Sequence, residues 1–440
     1  MKCLIIAAGK GSRLRQRGDS KPLVPILGVP LIERVIRSAL KAGIDDFCVV
    51  TGYNGEKVRC FLDDLARDCR INITHVVNEA WEEGNGLSVL KARGQFNEKF
   101  VLLMTDHLFD VEILRKLLQQ PLHAGEIILA VDRNLDNRFA DIDDVTKVEI
   151  KGGKVVNISK DLKEFNGFDT GIFLCSPAIF QSIAQSISKY GDSSLSGGEK
   201  CLADEGNFIA VDTDGRFWID IDDPAAMDKA ENQLLDQLKD KPNDGPVSRH
   251  LNRPLSVRIS RYLTRVAVSP NQISLVSFLF FVLASGLFML GGYPALAAGG
   301  VLAQFASIID GCDGEVARLK FQESSFGSWF DAVLDRYADA FLLFGLTWHA
   351  SAGGGYTPAL FVGFLAIIGS FMLSYTADKY DALMRDRFEV GRGLRLGRDV
   401  RVFLVFLGAL VNQPFVTLLL IAVVMNAETI RRIVICRRHE

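Results

Sequence analysis

A chain of 440 residues is longer than one compact domain usually is, so two or three units are expected, each burying its own core. A formal net charge of −3 calls for neither a nucleic acid partner nor a strongly acidic ligand. The 8 cysteines contain no CxxC pair, which argues against a zinc site or a disulfide framework and for reduced thiols in a cytosolic compartment.

Residues 3–8 form the first apolar run, too short for a signal-peptide core and followed at once by Gly9-Lys10-Gly11. That order fits a buried strand feeding a glycine-rich loop. Further runs at 47–51, 73–77, 100–104, 127–131 and 171–174 read as strands, and 31–41 and 56–68 carry apolar residues at helical spacing. Strand alternating with helix predicts an α/β, Rossmann-like domain over 1–238 with a largely parallel sheet covered on both faces. Its ligands belong in loops beyond the strand ends, such as 8–14 and 105–110.

The stretch Leu4-Ile5-Ile6-Ala7-Ala8-Gly9-Lys10-Gly11-Ser12-Arg13-Leu14, followed by Lys21-Pro22, is the most specific feature of this half. Small residues at Ala8, Gly9 and Gly11 let backbone N–H groups approach phosphate oxygens, and Arg13 and Lys21 can neutralise the charge of departing pyrophosphate. The pattern resembles the sugar-phosphate nucleotidyltransferase family over roughly residues 1–235. The resemblance implies that Gly9 to Arg13 bind a nucleoside triphosphate, Lys21 a phosphate, and Asp106 a magnesium ion. A second metal carboxylate is implied in Trp218-Ile219-Asp220-Ile221-Asp222-Asp223, as either Asp220 or Asp222. It further implies contacts to base or ribose from the loop Glu83 to Ser88, and to the acceptor's phosphate from Lys147 and Thr170. Two hard oxygen ligands plus substrate phosphates suit Mg2+.

Lys, Pro, Asn and Gly between 239 and 246 read as a linker. In the next segment, 247–268, Arg258, Arg261 and Arg265 share one helical face and Ile259, Tyr262 or Leu263, and Val266 another, as in a helix lying in a membrane interface. An ordinary surface helix is the alternative. From 269 to 440 six apolar spans are expected, at 272–290, 294–309, 327–349, 358–376, 402–411 with its flanks, and 415–427. Lys and Arg gather in alternate connections and in the tail. An all-α membrane domain of six transmembrane helices, multi-pass in the cell membrane with both termini cytoplasmic, satisfies that bias.

Asp310-Gly311-Cys312-Asp313-Gly314-Glu315-Val316-Ala317-Arg318, then Gly327, Asp331 and Asp335, puts four carboxylates at the ends of two spans. Spacings of three and four place each pair on one helical face, so two antiparallel helices can aim all four at one point. Each Asp at membrane depth costs about 2.5 to 3.5 kcal/mol, and divalent cations relieve both that cost and the mutual repulsion.

This pattern resembles the CDP-alcohol phosphotransferase signature, and the likeness covers about 250–440. It implies that Asp310, Asp313 and Asp331 bind metal and that Gly314, Ala317 and Arg318 hold the CDP part. Asp335 is implied as general base that also touches the second ion, with Mn2+ admissible beside Mg2+. Arg392, Arg395 and Arg398 are candidates for the acceptor's phosphate, against a reading in which they only obey the positive-inside bias.

The two halves together resemble a family of fused enzymes acting on inositol phosphate. That resemblance implies CTP, inositol phosphate, a CDP-alcohol and the lipid bilayer as partners, no nucleic acid, and admits a homodimer through the membrane domain. It implies formation of CDP-inositol and then of a phosphorylated di-inositol phosphate, a compatible solute. The alternatives are a phospholipid headgroup transferase with a different or inactive first domain, and a nucleotide-sensing transporter. Transport is disfavoured because the charges gather at one membrane face.

Overall fold

A computed structural model describes residues 1–239, 245–352, 356–383 and 397–438. Contacts divide the chain into two compact units, Met1–Gln233 and Leu234–Glu440.

The first unit is built on nine strands: β1 (Lys2–Ala7), β2 (Asp46–Thr51), β3 (Asn72–Val77), β4 (Phe100–Met104), β5 (Ile127–Asp132), β6 (Lys147–Lys151), β7 (Lys154–Ser159), β8 (Gly167–Cys175) and β9 (Phe208–Asp212). They lie in the order β3-β2-β1-β4-β8-β5-β9-β7-β6. Strands β1 to β4 are mutually parallel, with Ile5 beside Val49 on one side and Leu103 on the other. The expected largely parallel sheet is corrected to a mixed one, because β8 enters antiparallel between β4 and β5, and β6 and β7 form an antiparallel ribbon. The ribbon turns at Gly152 and Gly153, both at positive φ, where glycine alone avoids strain.

Period-two alternation divides the core. Cys3, Ile5 and Ala7 of β1 face a cluster with α1 (Leu31–Lys41), α2 (Gly55–Cys69) and, further along the sheet, α4 (Val111–Leu118). Leu4 and Ile6 face the other side, with α3 (Asn85–Lys91), α5 (Ala178–Tyr190) and α6 (Leu195–Asp204). Each buried Leu or Ile contributes about 1.5 to 3 kcal/mol, so both layers hold the strand ends rigidly. A separate pairing joins His107–Phe109 to Trp218–Asp220, just before α7 (Pro224–Asp236), and sets Asp220 opposite His107.

The second unit is helical: α8 (Arg253–Leu263), α9 (Pro270–Met289), α10 (Tyr293–Leu319), α11 (Ser325–Ala352), α12 (Tyr356–Leu383), α13 (Arg398–Leu410) and α14 (Pro414–Arg438). Helix α9 starts from a capping box between Ser269 and Gln272 with Pro270 in its first turn. Gly345 of α11 fits against α9, where a Cβ would meet the backbone oxygen of Ser285 at 2.7 Å.

Among the described residues four helices are long and apolar enough to cross a membrane, Pro270–Met289, Tyr293–Leu319, Thr357–Thr376 and Pro414–Val434. Of the six spans expected, α11 is long enough but carries Asp331, Asp335, Arg336 and Asp339. Helix α13 has 13 residues, about 20 Å at about 1.5 Å each against a hydrocarbon layer of about 30 Å.

Two candidate active sites

Loop 8–14 follows β1. Gly11 adopts φ +60°, and a Cβ there would collide with the side chain of Lys21, so glycine lets the loop close over that lysine. A Cβ on Gly9 would meet nothing within 4 Å, which leaves its backbone open to a ligand. Lys21 begins a short 3-10 turn and is buried between carboxylates: its Nζ donates to Asp106 at 2.6 Å and to Asp222. Arg13 pairs with Asp144 at 2.5 Å and lies 3.8 Å from Asp222.

Asp106 follows β4 and also meets His107 Nδ1 at 2.8 Å, while Asp220 stands 3.9 Å from the same nitrogen. Ligand atoms of Asp106, His107 and Asp220 lie within 4.8 Å of one another. One carboxylate oxygen of Asp220 is buried without a hydrogen-bond partner. Both carboxylates left open by the sequence therefore reach the site, Asp220 in the group with Asp106 and Asp222 on the cations Lys21 and Arg13.

Charge explains the protonation. Burial works against ionised Asp106, but Lys21 and His107 hold it well below the usual carboxylate range. Burial likewise opposes charge on His107, yet Asp220 and Asp106 push the imidazole up to about 9. Burial, with Asp106 and Asp222 close by, carries Asp220 upward. An anion-rich cleft with an orphaned carboxylate oxygen fits a divalent cation bound through hard oxygens.

The other expected residues of this half are placed less uniformly. Glu83 is exposed, whereas Ser88 is buried in α3 and accepts from Asn78 Nδ2 at 3.0 Å. Lys147 donates to the Lys160 carbonyl at 2.8 Å and lies over the Phe165 ring. Thr170 is fully buried in β8, and its hydroxyl donates to the Ala130 carbonyl at 2.7 Å. Its neighbour Asp169 accepts from Gly171 N. The sequence reading missed His107, although it adjoins Asp106 inside a loop expected to bind ligand. It also missed Glu199 of α6, 1% exposed with both oxygens unpartnered, whose carboxyl is pushed well up by burial and by Asp169.

In the second unit, ligand atoms of Asp310, Asp331 and Asp335 lie within 4.8 Å of one another. Asp313 lies one turn of α10 beyond Asp310. Serines of α9 brace the pair on α10: Ser277 Oγ donates to Asp310 at 2.7 Å and Ser274 Oγ to Asp313 at 2.5 Å. Such partners orient ligands, and their spacing in α9 gave no signal in the sequence.

Arg398 lies inside this cluster. Its Nη1 pairs with Asp310 at 2.5 Å and with Asp335, and its Nε with Asp339 at 3.2 Å. Gly314 is open, with only Arg318 within 4 Å of a Cβ placed there; Ala317 is buried and Arg318 half-buried. Arg392 and Arg395 lie outside the described residues. Even with Arg398 present, the carboxylates outnumber the cations, and a set of hard oxygen donors fits divalent ions.

Behind this site a polar seam joins α8 to α10. Glu315 is fully buried and accepts from Arg253 Nη1 at 2.6 Å, Ser256 Oγ at 2.6 Å and Ser260 Oγ at 2.7 Å. Helix α8 thus buries Arg253, Ser256, Val257 and Ser260, while Leu255, Arg258 and Tyr262 stay exposed.

Two family profiles match the chain: MobA-like NTP transferase domain over residues 3–314, and CDP-alcohol phosphatidyltransferase over 267–432. The first match runs beyond the sheet domain, whose last helix ends at Asp236. A bifunctional IPC transferase and DIPP synthase of Rubrobacter xylanophilus is 37% identical over 99% of this chain and 96% of its own. One of the same description from Aquifex aeolicus is 31% identical over 97% and 96%. The solved inositol-1-phosphate CTP transferase from T. maritima is 28% identical, with a TM-score of 0.47 over 52% of this chain and 93% of its own. Near-complete coverage by relatives that carry both halves in one chain places this protein in the family of bifunctional IPC transferases and DIPP synthases.

Proposed function

We propose that the chain catalyses two consecutive transfers. CTP and myo-inositol 1-phosphate give CDP-inositol and pyrophosphate; CDP-inositol and a second inositol 1-phosphate then give di-myo-inositol phosphate phosphate and CMP. The observation that carries this reading is the presence of a glycine-loop carboxylate site and a second aspartate cluster in one chain that is similar along nearly its whole length to relatives of that description.

In the first transfer the acceptor's phosphate oxygen attacks the α-phosphorus of CTP, and the bond to pyrophosphate breaks. The loop from Ala8 to Gly11 cradles the triphosphate with backbone N–H groups, and Lys21 and Arg13 take up the charge that collects on the leaving group. In the second, an inositol hydroxyl attacks the β-phosphorus of CDP-inositol and CMP leaves. Asp335 receives the hydroxyl proton, Gly314 to Arg318 hold the CDP part, and Arg398 takes the acceptor's phosphate.

Mg2+ would be held by Asp106 with Asp220 or Asp222 in the first site and by Asp310, Asp313, Asp331 and Asp335 in the second, where Mn2+ also suits. Bound there, it supplies electrostatic stabilisation of charge on the transferring phosphates. The second unit is read as six membrane spans with both termini cytoplasmic, α11 and α13 completing the bundle inside the four apolar helices, and a dimer through this unit is compatible. Helix α8 lies in the interface with Arg258 toward lipid phosphates.

The test is the full-length protein in membranes with CTP, Mg2+ and a panel of polyol phosphates, followed by phosphorus NMR. CDP-inositol and then the di-inositol product are expected from inositol 1-phosphate alone. Turnover with another polyol phosphate and none with inositol 1-phosphate would displace the reading.

A further inference from the structure

Asp339 lies one helical turn beyond Asp335 on α11 and is 4% exposed. It is not one of the carboxylates whose ligand atoms converge. Three donors from two other helices occupy it instead: Ser370 Oγ of α12 at 3.1 Å, Arg401 Nη2 of α13 at 2.7 Å, and Arg398 Nε, also of α13, at 3.2 Å.

The two arginines are held differently. Arg401 is 4% exposed, and its Nη2 reaches only inward, to Asp339 and at 3.5 Å to Ser374. Arg398 spans two environments: Nε is tied to Asp339, Nη1 reaches Asp310 and Asp335, and the guanidinium lies over the Phe281 ring, 4.7 Å from its centre. A guanidinium is a rigid plane, so fixing Nε from one side and the flat face from another fixes where the outer nitrogens point. Arg401 and Ser370 could satisfy a buried carboxylate without Arg398. The third bond therefore does something for Arg398 that Asp339 does not need for itself.

We infer that Asp339 is a positioning residue for the second transfer: it holds Arg398 by Nε so that the outer nitrogens stay at the carboxylate cluster and take the acceptor's phosphate, while Arg401 is an internal counter-ion. This rests on the reading above that the acceptor carries a phosphate. With a divalent ion held by Asp310 and Asp335, Nη1 would no longer be bound by those carboxylates, and the Nε bond to Asp339 would keep the side chain in place. A planar fork held at two points matches a phosphate's oxygens in a way an unanchored guanidinium does not.

The test uses full-length Asp339→Asn in lipid nanodiscs, in an Asp106→Ala background so that only the membrane site binds metal, with CDP-inositol supplied. The KM for inositol 1-phosphate should rise about tenfold to a hundredfold, the effect of misplacing one charge-assisted contact, with kcat changed much less. Inorganic phosphate binding, read by calorimetry in the presence of Mn2+, should weaken by the same factor, and Mn2+ affinity by spin resonance should match the parent. Unchanged KM and phosphate affinity overturn the inference. So does a loss of Mn2+ as large as that of Asp331→Asn, which would make Asp339 a metal ligand.

Should Asp339→Asn fail to fold, Arg398→Lys replaces it, keeping charge but not the two-point hold. The same KM rise with Mn2+ binding intact supports the inference, and an unchanged KM overturns it. If the parent protein itself does not use inositol 1-phosphate, the functional reading fails instead, and the phosphate-binding arm still decides the role of Asp339.

Discussion

His107 and Asp220 stand directly opposite each other across a short antiparallel pairing, 113 positions apart in the chain, with 3.9 Å between ring nitrogen and carboxylate. Because His107 also bonds Asp106, it ties the two carboxylates of the first site into one group. Replacing it by Gln should weaken metal use there by roughly 10 to 100-fold, the usual loss when a ligand's partner is removed. Pyrophosphate release from CTP should fall accordingly, while CMP release from supplied CDP-inositol stays unchanged. Equal loss in both assays would show that His107 serves general folding.

The two sites draw their carboxylates from different units, so they should be chemically separable. Asp335→Asn should stop the second transfer by at least the roughly 10² to 10⁴-fold typical of a lost general base, and CDP-inositol should accumulate. Asp106→Ala should give no CDP-inositol at all. Continued di-inositol product from Asp335→Asn, seen by phosphorus NMR, would remove Asp335 from its role.

Glu199 makes stability depend on pH. Its folded-state pKa is raised by burial and by Asp169, so the folded protein favours the protonated form. The resulting destabilisation is absent below the unfolded carboxylate value of about 4.3 and grows as pH rises above it, until the folded value is passed. Glu199→Gln should therefore leave the melting temperature near pH 4 unchanged and raise it increasingly toward neutrality. Calorimetry of the full chain, following the transition that CTP shifts, checks this; a gap independent of pH would refute the assignment.

The pair Arg253 and Glu315 is buried, at 8% and 0% side-chain exposure, so deleting the arginine strands the Glu315 carboxylate away from its cation. Arg253→Met should cost about 3 to 5 kcal/mol in resistance of the helical unit to unfolding, and Arg253→Met with Glu315→Leu much less. Titration with a denaturing detergent measures both. A double variant no more stable than the single one would mean that Ser256 and Ser260, rather than the ion pair, hold α8 to α10.

What the sequence determined by itself lay within single elements. The turn Gly9-Lys10-Gly11 after an apolar strand, and the paired aspartates at spacings of three and four, were legible because backbone geometry fixes such residues relative to one another whatever the rest of the chain does. Alternating apolar runs likewise announced β1 to β4 and both faces of their sheet, and the apolar spans announced a helical unit in which, among the described residues, four helices are long and apolar enough to cross a membrane. Tertiary structure alone decided what crosses between elements. The antiparallel entry of β8 turned Thr170 inward, the pairing of residues 107–109 with 218–220 brought His107 to Asp220, and the start of α13 carried Arg398 onto Asp310, Asp335 and Asp339. The seam of Glu315 was hidden for a related reason: a buried charge is stable only beside its partners, and here they are Arg253, Ser256 and Ser260, on a helix where the sequence pattern singled out only Arg258, Arg261 and Arg265.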